Sequence, residues 1–114
     1  MKKTLISSYD EINDIFKGKV ENENGISADF SIADGIFLGI DKNHFPNSIY
    51  VNEASKVFDI PKEILENSNV KIFIDCDSIF LDFNMFIEDL KIFSVKCKNR
   101  FGIPNINFVI DSNY

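Results

Sequence analysis

Asp75, Cys76 and Asp77 stand together, and Asp82 follows across a short apolar run. Residues two apart on an extended chain share a side, so Asp75 and Asp77 are spaced to share a divalent cation, which would offset their repulsion. The plainer reading is a solvated acidic turn joining two apolar strands. His44 is the single histidine. That removes any multi-His metal site and any relay with a spare orienting imidazole. His44 sits between Asn43 and Pro46 and reads as an exposed loop residue. A nucleophilic dyad would need packing to bring Cys76 or Cys97 to it. The two cysteines read as small buried hydrophobes in a reducing compartment. A Cys76–Cys97 bridge requires neighbouring strands, because the Cα atoms must lie within about 7 Å.

Asp41-Lys42-Asn43 opens like a calcium loop, but the pattern then fails. Phe45 stands where a ligand belongs, Pro46 where the turn glycine belongs and Asn52 where the bidentate Glu belongs. No Gly-rich phosphate loop, GxSxG or CxxC is present. Glu53 to Leu65 mimics the middle of a helix-turn-helix. Its would-be reading helix carries Glu63 and Glu66 against Lys62 alone, and carboxylates facing phosphate oxygens repel. The expectation is therefore a protein with no catalytic residue, no metal and no cofactor.

Charge points elsewhere. Twelve Lys+Arg against eighteen Asp+Glu leave a net charge of −6. This opposes direct nucleic-acid binding, which needs excess cations. The imbalance is uneven: residues 1–90 hold eight Lys and seventeen acids, net −9, whereas residues 91–114 hold three Lys and Arg100 against Asp111, net +3. Asp75, Asp77, Asp82, Glu88 and Asp89 lie close along one predicted hairpin and its exit. An acidic surface of that kind steers a basic partner toward it. The expected function is a small acidic intracellular protein that inhibits or neutralises a basic protein partner. A toxin nuclease met by its immunity protein is one such pairing, and a nucleic-acid-handling defence enzyme met by a phage inhibitor is another. The alternatives are a small enzyme or ligand-binding domain using Asp75 and Asp77, or an accessory subunit of a larger assembly. Ile, Asn, Lys, Phe and Asp fill more than half the chain, and their codons point to an AT-rich bacterial or phage genome.

The elements that must position these residues follow from periodicity. With 114 residues and 45% hydrophobic composition, the chain reads as one domain, residues 1–114. The start Met1 to Ile6 imitates a signal peptide, but Ser7-Ser8-Tyr9-Asp10-Glu11 breaks the apolar run, so a cytoplasmic location is expected. No apolar run reaches 18 residues, which speaks against a membrane span. Ser8 and Glu11 form a capping box before Tyr9, Ile12, Ile15 and Phe16 at helical spacing, with Gly18 as the stop. This predicts a helix over 8–17. Asn24-Gly25 and Asp34-Gly35 are type I′ hairpin dipeptides, and Ile26 to Ile32 alternate between them. Lys19 to Glu23 reads as a weaker strand, 36–40 as the hairpin partner, 41–48 as a loop and 49–51 as a short strand. Asn52 and Pro61 can start two short helices. Strands follow near 70–74, 79–85, 90–97 and 106–110. The predicted class is α+β: a mainly antiparallel sheet of about five to seven strands, an N-terminal helix and one or two short central helices. An open sheet of this size exposes edges, through which homodimerisation is expected to be accessible.

Overall fold

The computed structural model describes residues 2–21, 25, 28–67, 70–104 and 106–111. The described residues form nine strands, not five to seven, and the first element is a strand rather than a helix. Strand β1 (Lys2–Asp10) and β2 (Ile15–Val20) are an antiparallel hairpin over the stretch where the capping box predicted helix. The reason is local competition. The Asp10 carboxylate accepts the backbone N–H groups of Ile12 and Asn13 at 3.0 and 3.1 Å, which turns the chain where a helix would have to continue. Phe16, Gly18 and Val20 then point inward and Lys17 and Lys19 outward, a period of two that the bare glycine hides in the sequence.

β3 (Ala28–Ala33), β4 (Ile36–Ile40) and β5 (Pro46–Asn52) complete the first half. The expected loop 41–48 is shorter than predicted, because β5 already starts at Pro46. Asn24 lies outside the described residues. Gly35 has φ +78, but Asp34 does not share a positive φ, so Asp34-Gly35 is not the type I′ turn expected. That geometry appears instead at Glu88-Asp89, φ 52 and 65, where no glycine marks it. This pair joins β7 (Phe80–Ile87) to β8 (Leu90–Lys98), with Ile87 opposite Leu90.

Between the halves lie two short helices, α1 (Ala54–Phe58) and α2 (Lys62–Asn67). The N-cap of α1 is Glu53, one residue after the predicted Asn52, and it makes no side-chain cap. Asp14 supplies the cap from the β1–β2 turn. Its carboxylate accepts from the Ser55 N–H at 2.9 Å, the Ser55 hydroxyl at 2.6 Å and the Tyr9 hydroxyl at 2.6 Å, and its carbonyl accepts from the Ala54 N–H at 2.9 Å. Burial pushes the Asp14 carboxyl up, but these donors outweigh it and hold the group below the usual carboxylate range.

The second half contains β6 (Val70–Cys76), β7, β8 and β9 (Ile106–Asp111), close to the predicted strands. The order is β3-β4-β5-β2-β1-β9-β6-β7-β8. Every pairing is antiparallel except the join: Lys2–Thr4 of β1 run parallel to Val109–Asp111 of β9, while Leu5–Asp10 pair with β2. β1 therefore belongs to both halves. One hydrophobic cluster draws on both, including Phe16, Leu38 and Val51 from the first and Ile72, Leu81 and Phe83 from the second. Phe58 of α1 stands between them, edge-on to Phe16 with centroids 6.5 Å apart and to Phe93 at 5.5 Å.

Three positions set measurable differences in stability. A Cβ on Gly35 would meet the Asn52 carbonyl oxygen at 3.0 Å and a Val57 methyl at 3.1 Å, in addition to the strain of its φ. Gly35→Val should cost about 2 kcal/mol or more in urea unfolding, whereas Glu88→Asn with Asp89→Gly should gain about 1 kcal/mol by relieving the left-handed turn. Removing the Asp14 carboxylate should cost about 1–3 kcal/mol at pH 7. Because the folded pKa is depressed, that contribution is complete above the unfolded value of about 3.9 and fades as pH falls below it. Urea unfolding of Asp14→Ala and the parent should therefore converge toward pH 3 and below.

Candidate functional site

The acidic residues singled out by sequence are divided between two places. Asp75 and Asp82 are cross-strand partners on β6 and β7, and Asp82 is level with Lys96 of β8. Lys96 leans over the Phe80 ring, its Nζ 4.7 Å from the centroid. Asp77 lies just beyond the end of β6. Its carboxylate accepts the N–H groups of Ile79 at 2.7 Å and Phe80 at 2.6 Å. Those bonds hold the Asp77 carboxyl below its usual range and commit it to its own turn. Glu88 and Asp89 occupy the opposite end of β7. Its eight residues separate the two turns by about 23 Å at the ordinary rise per residue. Of the five, only Asp75, Asp77 and Asp82 share an end of the hairpin. Among the described residues, no group of three or more His, Cys, Asp or Glu side chains is placed to hold a metal ion.

Other candidates resolve into structural roles. The Asp41 carboxylate accepts the N–H groups of Asn43 at 2.8 Å and Phe45 at 3.0 Å, closing the calcium-like loop on itself. His44, at φ 68, places its Nδ1 3.2 Å from the Phe101 carbonyl oxygen and thereby joins this turn to the chain after β8. Cys76 and Cys97 are both level with Leu81, one on each side of β7, so the strands are not neighbours and the thiols are free. Burial pushes the Cys76 thiol up to about 12, away from nucleophilic chemistry at neutral pH. The helix-turn-helix mimic is two helices of five and six residues, which pack Ala54, Phe58 and Leu65 into the core.

A different acidic cluster emerges from tertiary contact. Lys62 of α2 donates from Nζ to the Glu11 carbonyl at 3.1 Å, which brings α2 against the β1–β2 turn. Glu66 then lies within hydrogen-bonding reach of Glu11, with Glu63 nearby. The Glu11 charge first, then the side-chain bond to it, raises the Glu66 carboxyl above its ordinary value. Ile12, 91% exposed, and Ile64, 42% exposed, are chain neighbours of Glu11 and Glu63. Glu11 and Glu66 are 55 residues apart, and nothing in either segment signals that they meet.

A second feature is a groove of about 600 Å³ on the outer face of the first half, lined by Ile6, Lys17, Lys19, Asp29, Phe37 and Tyr50 among others. Lys17 and Lys19 owe their outward position to the alternation of β2, which was legible only with the strand assigned.

Comparison with protein-family models, with curated proteins and with solved structures finds no match. Among the described residues no helix is long and apolar enough to cross a membrane.

The Glu11–Glu66 contact has a measurable sign. A carboxyl whose folded pKa is raised opposes folding when ionised, and that opposition disappears as pH falls below its unfolded value. Glu66→Gln should raise the melting temperature at pH 7, and the gain should vanish by about pH 3, below the ordinary Glu range. Thermal unfolding followed by circular dichroism at the two pH values checks this.

Proposed function

We propose that this chain is a small acidic binding protein that neutralises a basic protein partner. A toxin nuclease or a nucleic-acid-handling enzyme presents the required cationic groove. The observation that carries the reading is the docking of α2 on the β1–β2 turn through the bond from Lys62 to the Glu11 carbonyl, which gathers the Glu11, Glu63 and Glu66 carboxylates at the cost of their mutual repulsion. A Lys or Arg supplied by a partner would convert that cost into attraction. Exposed Ile12 and Ile64 beside the acids provide the apolar anchors that a specific interface needs at its centre. Asp75, Asp77 and Asp82 form a second acidic surface that extends the field, and Glu88 and Asp89 a third. The net charge of −6 favours the same class of partner. The reading assigns no catalytic step to the chain.

The partner is identified by affinity capture from the cells that make the protein. Its association rate in stopped flow should then fall by roughly tenfold or more between 0.1 and 1 M salt, as the Debye length shrinks from about 10 to about 3 Å, with dissociation changing less. Glu11→Gln and Glu66→Gln should slow association while leaving the fold more stable, a combination that a purely structural role does not produce. Charge reversal at Asp75, Asp77, Asp82, Glu88 or Asp89 maps how far the surface extends, with Lys98 reversal as the control that should not slow binding. Association insensitive to salt and to every acidic substitution would exclude electrostatic capture.

A further inference from the structure

We infer that the groove on the outer face of β1, β2, β5, β4 and β3 is a binding site for a small aromatic anion, a linked or fused ring system bearing a carboxylate or sulfonate. The inference stands on the shape and charge of this face and is independent of the acidic surface.

Shape comes from the register. Ser8, Lys17, Tyr50 and Phe37 are level across four strands. Ile6, Lys19, Ser48, Gly39 and Asp29 form the next row on the same face. The centre of the first row is bulky and aromatic, whereas the centre of the second is a hydroxymethyl and a bare glycine. The result is a trough lined by Ser48 at its centre with Phe37 and Tyr50 as its wall. It crosses five strands, about 19 Å at the usual strand spacing. Its volume of about 600 Å³ lies within the range of roughly 300–1,000 Å³ that small-molecule sites occupy.

Chemistry comes from what stands along that wall. The Phe37 and Tyr50 rings meet at 63° with centroids 6.0 Å apart, which leaves ring surface facing the trough for an offset or edge contact with a third ring. Phe37 is 37% exposed and Ile6 50% exposed, so this apolar surface is in water as the chain stands alone. The Lys17 Nζ lies 5.8 Å from the Tyr50 centroid, an ammonium already held against the apolar wall. Lys19 is the next outward residue on β2. Among the described residues one acid lines the trough, Asp29 on β3, three strands from β2. In a chain of net charge −6, the β1–β2 end of this face thus carries the opposite sign. A ligand whose rings lie on Phe37 and Tyr50 and whose anion reaches Lys17 satisfies both features. A neutral aromatic satisfies only the first, and a cation is repelled.

The test uses 1-anilinonaphthalene-8-sulfonate, an aromatic sulfonate whose emission rises in an apolar site, and N-phenyl-1-naphthylamine, the same rings without the sulfonate. The chain has no Trp, so the naphthyl emission is read without an indole background. The sulfonate should bind saturably at one per chain, with the neutral probe weaker by roughly tenfold, the loss expected for one charge-assisted contact. Lys17→Gln should abolish that difference and Lys17→Arg should restore it. Phe37→Ser should remove binding of both probes. If Phe37→Ser has no melting transition, Phe37→Leu, which keeps apolar bulk and removes the ring, replaces it and should weaken both. Absence of saturable binding, equal binding of the two probes, or binding unchanged by Lys17→Gln or by the Phe37 variants would overturn the assignment.

Discussion

The carboxylate of Asp14 decides where α1 sits, and α1 decides how the two halves of the sheet meet. A five-residue helix has no stability of its own, because nucleation costs more than one turn of hydrogen bonds returns. Its first N–H groups need acceptors, and its N-cap residue, Glu53, offers no side-chain one. Asp14 takes the Ser55 N–H and hydroxyl and the Ala54 N–H in one place. Tyr9 anchors the same carboxylate from β1. With α1 held there, Phe58 fills the gap between Phe16 of the first half and Phe93 of the second. The aromatic contact continues from Phe93 to Phe83, so one side chain on a short helix links β2 in the first half to β8 and β7 in the second.

The sheet imposes the complementary constraint. Nine strands with one apolar face cannot stay open in water, so the face must fold onto itself. The fold line is β1, whose first residues pair with β9 and whose later residues pair with β2. Burial of the inner face leaves the outer face to function. On the first half that face carries Lys17, Lys19, Phe37 and Tyr50; on the second it carries Asp75, Asp82 and Lys96. The fold thus presents separate surfaces of different chemistry, an apolar trough with cations at one end and acidic ground at the hairpin and at α2.

Local competition explains where sequence patterns misled. Asp10 and Asp77 each use a carboxylate to satisfy N–H groups of their own turns. At Asp10 this converts a helical pattern into a hairpin. At Asp77 it ties one carboxylate oxygen to the turn that follows β6. The same economy makes Asp41 a turn acceptor rather than a calcium ligand. The left-handed turn fell at Glu88-Asp89, which lacks the glycine that most favours it, because Ile87 and Leu90 are fixed opposite each other by the strands on either side.

Period-two alternation by itself determined β3, β4 and β6 to β9 closely, since a half-buried strand writes its two faces into the chain. Composition alone determined the acidic balance and the lack of any motif built from histidine or glycine. Pro61 and the apolar residues after it were enough to place α2. Tertiary structure alone decided that β1 joins β9, that Asp14 caps α1 and that Cys76 and Cys97 flank β7 without meeting. It also decided which charges are neighbours: Asp77 and Glu88 separate along a strand, whereas Glu11 and Glu66 meet. The physical reason is range. Periodicity and turn chemistry act over a few residues, so they are legible in order along the chain. A surface is assembled by strand order and by single long-range hydrogen bonds such as that from Lys62 to Glu11, and these leave no local pattern.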